Sequence, residues 1–292
     1  MFADGAAIPR RGPGGKVTDA ELVALAVAQA SMGIPSDRQF LGLVGKVLPG
    51  WFPHLSEQSQ YNRRLRRLAP TLAAVQLRIA ELIAEGDLRI ADGTLLGVAN
   101  YAGCRSRSEF AGTAAYGYCA AKSQYGWGMR LVLVTDRSGV PVGYTLVAAN
   151  EKEYEPVREL TTAHKRCTLI ADKGLWGRGY RETLALQDVS ILTPDRVRTA
   201  ENLARQRRLA GLRLVIESTI SNLKGQMQLE QHLARTPAGL AQRIAQRLLA
   251  LTLGMPPTPS PDANPEHSSP MTDKTHIKPL APARFCRCIV SD

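Results

Sequence analysis

The sequence predicts an α/β protein, a mixed sheet flanked by helices, preceded by an all-helical region. Three observations carry this expectation. Residues 17–85 place apolar side chains three or four apart, the period of an amphipathic helix. From residue 87 short apolar runs alternate with helical stretches, an order of strand, hairpin, helix, strand, helix, strand. From Thr199 to Gly254 the pattern is helical again, with breaks expected near Gly211 and Pro237.

Taken in order, residues 1–16 are rich in Gly and Pro, carry Arg10, Arg11 and Lys16, and read as a flexible basic arm. Thr18 before Asp19 and Glu21 reads as a helix cap, and Gly33-Ile34-Pro35 ends that helix. A second apolar segment spans Phe40–Leu48, and a longer helix follows Tyr61, with Leu65, Leu68, Leu72, Val75, Ile79 and Leu82 on one side. DLRIA (87–91) is a short strand. Met129–Thr135 and the run after Val140 form a hairpin about the turn Asp136-Arg137-Ser138-Gly139. Glu155–Ala163 is a helix, CTLIA (167–171) a buried strand, Tyr180–Leu186 a helix and VSILTP a last strand. Beyond residue 255 Pro, Ser and Thr dominate, so residues 255–292 are expected to be disordered. The expected organisation is an arm (1–16), a helical N-terminal region (17–86), an α/β domain (87–254) and a tail (255–292).

The 292 residues carry 37 Lys and Arg against 26 Asp and Glu, a formal charge of +11. That balance favours a polyanionic partner, nucleic acid being the usual one. No apolar run is long enough to span a bilayer, and the N-terminus lacks a secretory core, so a soluble cytoplasmic protein is expected. Cys286 and Cys288 form the one close cysteine pair, too little for a zinc site.

Asp92 and Asp172 each directly follow a strand, where open α/β sheets build sites but where Asp is also an ordinary turn residue. Glu217 lies in the apolar helix LRLVIESTISNLKGQ, with Arg213, Ser221 and Lys224 on its stripe. Alone, that stripe reads equally well as a solvated face with an i, i+4 ion pair. Together the three carboxylates supply the hard oxygen donors that two-metal phosphoryl chemistry needs.

Several blocks tie these residues to one family: IADG (90–93), YGYCAAKSQYGWGMRLVLV (116–134), TLIADKG (168–174) and the stretch from IEST to KGQMQLEQH (216–232). In these the chain resembles the Asp-Asp-Glu (DDE) transposases of bacterial insertion sequences, especially insertion-sequence family 982 within the insertion-sequence 4-like group. Arg213, Glu217 and Lys224 match the group's Arg, Glu and Lys signature, while Ala210 stands where a Tyr is usual. Gly93-Thr94-Leu95 replaces the usual Ser and following Pro after the first aspartate.

The resemblance implies a ribonuclease-H-like catalytic fold and cleavage plus strand transfer at element ends. It makes Asp92, Asp172 and Glu217 the ligands of two Mg²⁺ (or Mn²⁺) ions, with Arg213 and Lys224 as catalytic companions that contact DNA or orient the glutamate. The implied partners are double-stranded DNA, as terminal inverted repeats and as target, and a second copy in a homodimeric DNA complex at the bacterial nucleoid.

Arg63, Arg64, Arg66 and Arg67 form one basic cluster expected to meet DNA; Arg205, Arg207 and Arg208 belong to a second. Residues 196–254 hold ten Lys and Arg against three Glu. Such residues give affinity without sequence choice. Lys173 and Trp176, in the Gly-rich segment after Asp172, are further DNA-binding candidates, whereas Trp127 reads as core. No helix-turn-helix is evident, so base readout is unassigned. The alternatives to an active transposase are a catalytically decayed copy that only binds DNA, and another ribonuclease-H-like nuclease.

Overall fold

A computed structural model describes residues 16–48, 50–52, 54–99, 103–119, 122–164, 166–172, 177–194 and 199–255. Apart from residues 16 and 255, the expected arm and tail lie outside the described residues, as do the candidates Lys173 and Trp176.

Three helices open the chain: α1 (Asp19–Ser31), α2 (Asp37–Val47) and α3 (Gln58–Ile83). The cap expected at Thr18 is a full capping box, its hydroxyl accepting from Glu21 N–H while the Glu21 carboxylate takes the Thr18 N–H. Helix α3 continues through Pro70; its buried stripe of Tyr61, Leu65, Leu68 and Leu72 matches the spacing read from the sequence, but then runs on through Gln76 and Ala80, leaving Val75 and Leu82 exposed.

Strands β1 (Leu88–Gly97), β2 (Ala115–Cys119), β3 (Gln124–Thr135), β4 (Pro141–Ala148), β5 (Cys167–Ile170) and β6 (Val189–Leu192) form one mixed sheet. β3 pairs antiparallel with β1 and β4, β1 pairs parallel with β5, and β5 pairs parallel with β6. Three antiparallel strands followed by two parallel ones is the ribonuclease-H-like arrangement. β2 pairs with the first half of β3, from Gln124 to Gly128. It went unread in the sequence because Tyr-Gly-Tyr has no apolar alternation to mark it. The hairpin turn is held by Asp136, whose buried carboxylate accepts from the Ser138, Val140 and Glu85 N–H groups.

Between these strands lie α4 (Cys104–Arg107), α5 (Tyr154–Thr162) and α6 (Arg178–Ala185); α7 (Ala200–Lys224) and α8 (Pro237–Gly254) close the fold. Two expectations are corrected. The strand read as ending at Ala91 runs on to Gly97, because β3 supplies ladder partners as far as Gly128. Gly211 does not break α7: a lone exposed Gly costs about 1 kcal/mol, which the burial of Leu209, Ile216, Ile220 and Leu223 outweighs.

One sheet face, through Ile90, Leu96, Leu131 and Leu133, packs on α7 and α8; the other, through Ala91, Val132 and Val134, packs on α5 and α6. Trp127 is buried in the first of these cores, as its sequence context suggested. α8 is buried nearly all round, because α3 covers its far side through Leu72 and Ala73 against Ala245 and Leu249.

Candidate active site

Pairing between β1 and β5 runs from Leu88 opposite Thr168 to Ile90 opposite Ile170 and ends there. Asp92 stands two residues past the last pair on β1, and Asp172 two residues past it on β5. Equal offsets on adjacent parallel strands bring both carboxylates to one level, where the strands part and a crevice can open. Asp92 is therefore inside a strand, opposite Leu133, while Asp172 sits just beyond one.

Strand alternation sets where Asp92 points. Ile90 and Leu96 share its face and pack with Ile216 and Ile220 of α7, so Asp92 faces that helix. Glu217 follows Ile216 directly and is exposed. Arg213, one turn earlier, donates from Nη1 to Asp172 Oδ1 at 3.1 Å. Burial raises the Asp92 carboxyl to about 6; the Gly93 N–H on Oδ1 (2.8 Å) draws it down, the Glu153 and Glu217 charges push it up, and Arg213 opposes them. Asp92, Asp172, Arg213 and Glu217 thus occupy one electrostatic neighbourhood. Among the described residues, no three His, Cys, Asp or Glu side chains converge closely enough to hold an ion. By donor chemistry alone, Asp92, Asp172 and Glu217 are hard oxygen donors of the kind a divalent cation takes.

Glu153, at the start of α5, was not singled out in the sequence. Its Oε1 accepts from Arg130 Nη1 at 2.5 Å, and Arg130 Nη2 donates to Ala149 O at 3.2 Å. A Cβ at Gly93 would lie 2.5 Å from Glu153 Oε1, so the glycine at 93 leaves room for that carboxylate. Nothing local separates Glu153 from Glu151 and Glu155; only the fold sets it beside Gly93.

The basic candidates divide. Arg63, Arg66 and Arg67 are exposed on α3, but Arg64 is half-buried and holds Val17 O (2.7 Å) and Asp19 (2.5 Å). Arg205, Arg207 and Arg208 are exposed on α7. Lys224, at the end of α7, lies 3.4 Å from Glu230, which Lys122 also engages at 2.6 Å. No described helix is long and apolar enough to cross a membrane.

A ribonuclease-H-like sheet with Asp92 inside β1, Asp172 just past β5 and Glu217 exposed on α7 defines the fold and its candidate site. The chain belongs to the transposase DDE domain family, whose model matches residues 84–253, more than half of the sequence. No curated protein matches. Among solved structures, a piggyBac transposase synaptic complex with hairpin DNA is similar at 15% identity and a TM-score of 0.37, covering 62% of this chain. The chain spans 43% of that protein's length. A Mos1 transposase paired-end complex with the left transposon end is similar at 14% identity and a TM-score of 0.25, covering 77% of this chain and 82% of the other. A Mos1 paired-end complex with Mn is similar at 14% identity and a TM-score of 0.24, over 78% and 83% of the two chains.

Proposed function

We propose that this protein is the transposase of a bacterial insertion sequence, of the family 982 type within the insertion-sequence 4-like group, which cleaves DNA at the element's ends and joins those ends to a target. The observation that carries this reading is the equal register of Asp92 and Asp172 at the end of β1–β5 pairing, with Glu217 on the helix facing them.

In this reading Asp92, Asp172 and Glu217 hold two Mg²⁺ (or Mn²⁺) ions. When bound, such ions activate a water or a DNA 3′ hydroxyl and stabilise charge on the phosphate under attack. The protein's own groups do the rest. Burial holds the Asp92 carboxyl at about 6, above an ordinary aspartate, so it keeps its proton to a higher pH than a solvated carboxyl would. Arg213 keeps the Asp172 carboxylate turned toward α7. Lys224 and the exposed arginines of α7 hold the sugar-phosphate backbone, which is also the expected role of Arg63, Arg66 and Arg67. Joining two element ends calls for two such sites, hence a homodimer on DNA.

The test is cleavage of a plasmid carrying the element's terminal inverted repeats, with Mg²⁺ or Mn²⁺. Asp92→Asn, Asp172→Asn and Glu217→Gln are each expected to lower the rate by roughly 10³-fold or more, as loss of several kcal/mol of transition-state stabilisation requires. A variant that cut at the wild-type rate would remove its residue from the site. The second reading, a decayed copy that only binds DNA, draws on Ala210, which stands on α7 where the family has Tyr. It predicts salt-sensitive binding and no cleavage at any metal concentration.

A further inference from the structure

The β2–β3 hairpin carries an aromatic surface that chemistry at the trio does not use. Tyr116 pairs with Trp127 and Tyr118 with Tyr125, and residues directly opposite share a face, so four rings line one side of the hairpin. Trp127 is buried, whereas Tyr116, Tyr118 and Tyr125 are 45, 50 and 73% exposed. The Tyr118 and Tyr125 rings lie 5.3 Å apart at 58°. The hairpin's other side is closed: a Cβ at Gly117 would fall 2.5 Å from Ala149 O, and one at Gly126 would fall 3.2 Å from Leu95 Cδ2. The tyrosines are thus held outward by a backbone packed tightly behind them.

The surroundings are basic. Arg105 of α4 stands 4.8 Å from the Tyr116 ring centroid, and Arg107 is exposed on the same turn. Lys122, in the hairpin's turn, shares Glu230 with Lys224, which ties the hairpin to the end of α7. Lys224 is seven residues from Glu217, about 10 Å along the helix. Along β3, Tyr125 is eight residues from Leu133, the partner of Asp92, roughly 27 Å. Lys224 and Lys122, a net charge of +1 with the glutamate they share, make a short basic stripe from the end of α7 to the hairpin's turn, and roughly 27 Å corresponds to about eight nucleotides of stacked strand.

We propose that Tyr116, Tyr118 and Tyr125 form a stacking platform for unpaired bases of the DNA substrate, at the far end of this stripe from the cleavage centre. The assignment rests on the DNA-processing reading above. Exposed rings offer faces, and only unpaired bases have free faces to lay on them, since a duplex shows its grooves only base edges. Arg105, Arg107 and the lysines at Glu230 supply positive charge for the phosphates of the same strand.

The test measures binding by fluorescence anisotropy, without metal and at one salt concentration, of the full chain to oligo(dT) of roughly 20 nucleotides and to a blunt duplex of the same length. Tyr118→Ala with Tyr125→Ala is expected to weaken oligo(dT) binding about 10-fold or more while duplex binding stays within about two-fold. Phenylalanine at both positions keeps the rings and is expected to retain binding. A double alanine variant that held oligo(dT) as tightly as wild type, or lost both DNAs equally, would overturn the platform. A wild-type chain that bound duplex but not oligo(dT) would overturn it too, leaving the transposase reading intact. Binding of neither DNA would overturn both.

Discussion

At the scale of single residues, two glycines on the central strands show how differently one added methyl group can act. A Cβ at Gly128 would fall 2.0 Å from the carbonyl oxygen of Leu96, in the backbone of the neighbouring strand. Gly128→Ala must therefore part β1 from β3 and is expected to cost about 3 kcal/mol or more, read as a lower urea midpoint. At Gly93 the obstacle is the end of the Glu153 side chain, which can swing away. Gly93→Ala is expected to cost under about 1 kcal/mol while displacing Glu153 from Arg130. His232 gives a pH signature. Buried and neutral, its Nε2 lies 3.1 Å from Gly97 O and its Nδ1 accepts from the Ala234 N–H at 3.0 Å, so a second ring proton has no acceptor. Burial, the largest cause, lowers its pKa, so the unfolded chain takes up a proton more readily than the folded one. Stability from this group is complete above the unfolded value near 6.5 and is lost as pH falls below it. The urea midpoint should drop between pH 7.5 and 5 more in wild type than in His232→Gln.

At the scale of elements, α7 decides where the third carboxylate goes. Its capping box joins Thr199 and Asn202, each side chain bonding the other's N–H. Thr199→Ala should cost about 1 kcal/mol, measured by thermal melting, and should loosen the first turns that carry Arg205, Arg207 and Arg208. The helix, the hairpin and both parallel strands were legible because each buries apolar side chains with a simple period. Two things were not legible. β2 owes its place to a close backbone approach at Gly117, and glycine carries no hydrophobic signal. The true end of β1 depends on how far β3 accompanies it, a property of the pair that neither segment holds alone. Glu153 stayed unseen for the same kind of reason, since a nonlocal approach to Gly93 distinguishes it.

At the scale of the whole molecule, the N-terminal helices and the sheet region meet across α8. Arg243 of α8 donates to Asp37 of α2 at 2.6 Å, both side chains being almost fully buried. Asp37 also accepts from Gln29 and Asn62, so one carboxylate joins α1, α2, α3 and α8. Asp37→Ala leaves the Arg243 charge buried and unpaired and is expected to cost roughly 3–5 kcal/mol. Because α8 also packs against the sheet, the loss should lower one cooperative unfolding transition for the whole chain. Two separated transitions by circular dichroism, with only one of them shifted, would contradict this coupling.

The sequence by itself determined the α/β class, the helical front end, the basic charge and the three acids, because period, composition and motif spacing are local properties of the chain. The tertiary structure alone decided that Asp92 and Asp172 stand at one level, since that depends on where pairing between β1 and β5 stops. It alone decided that Arg213 joins Asp172 and that Arg64 holds Asp19. It also turned three tyrosines outward while burying Trp127 beside them. The physical reason is the same in each case: a side chain's partners are fixed by register and packing between segments distant in sequence, which no single segment encodes.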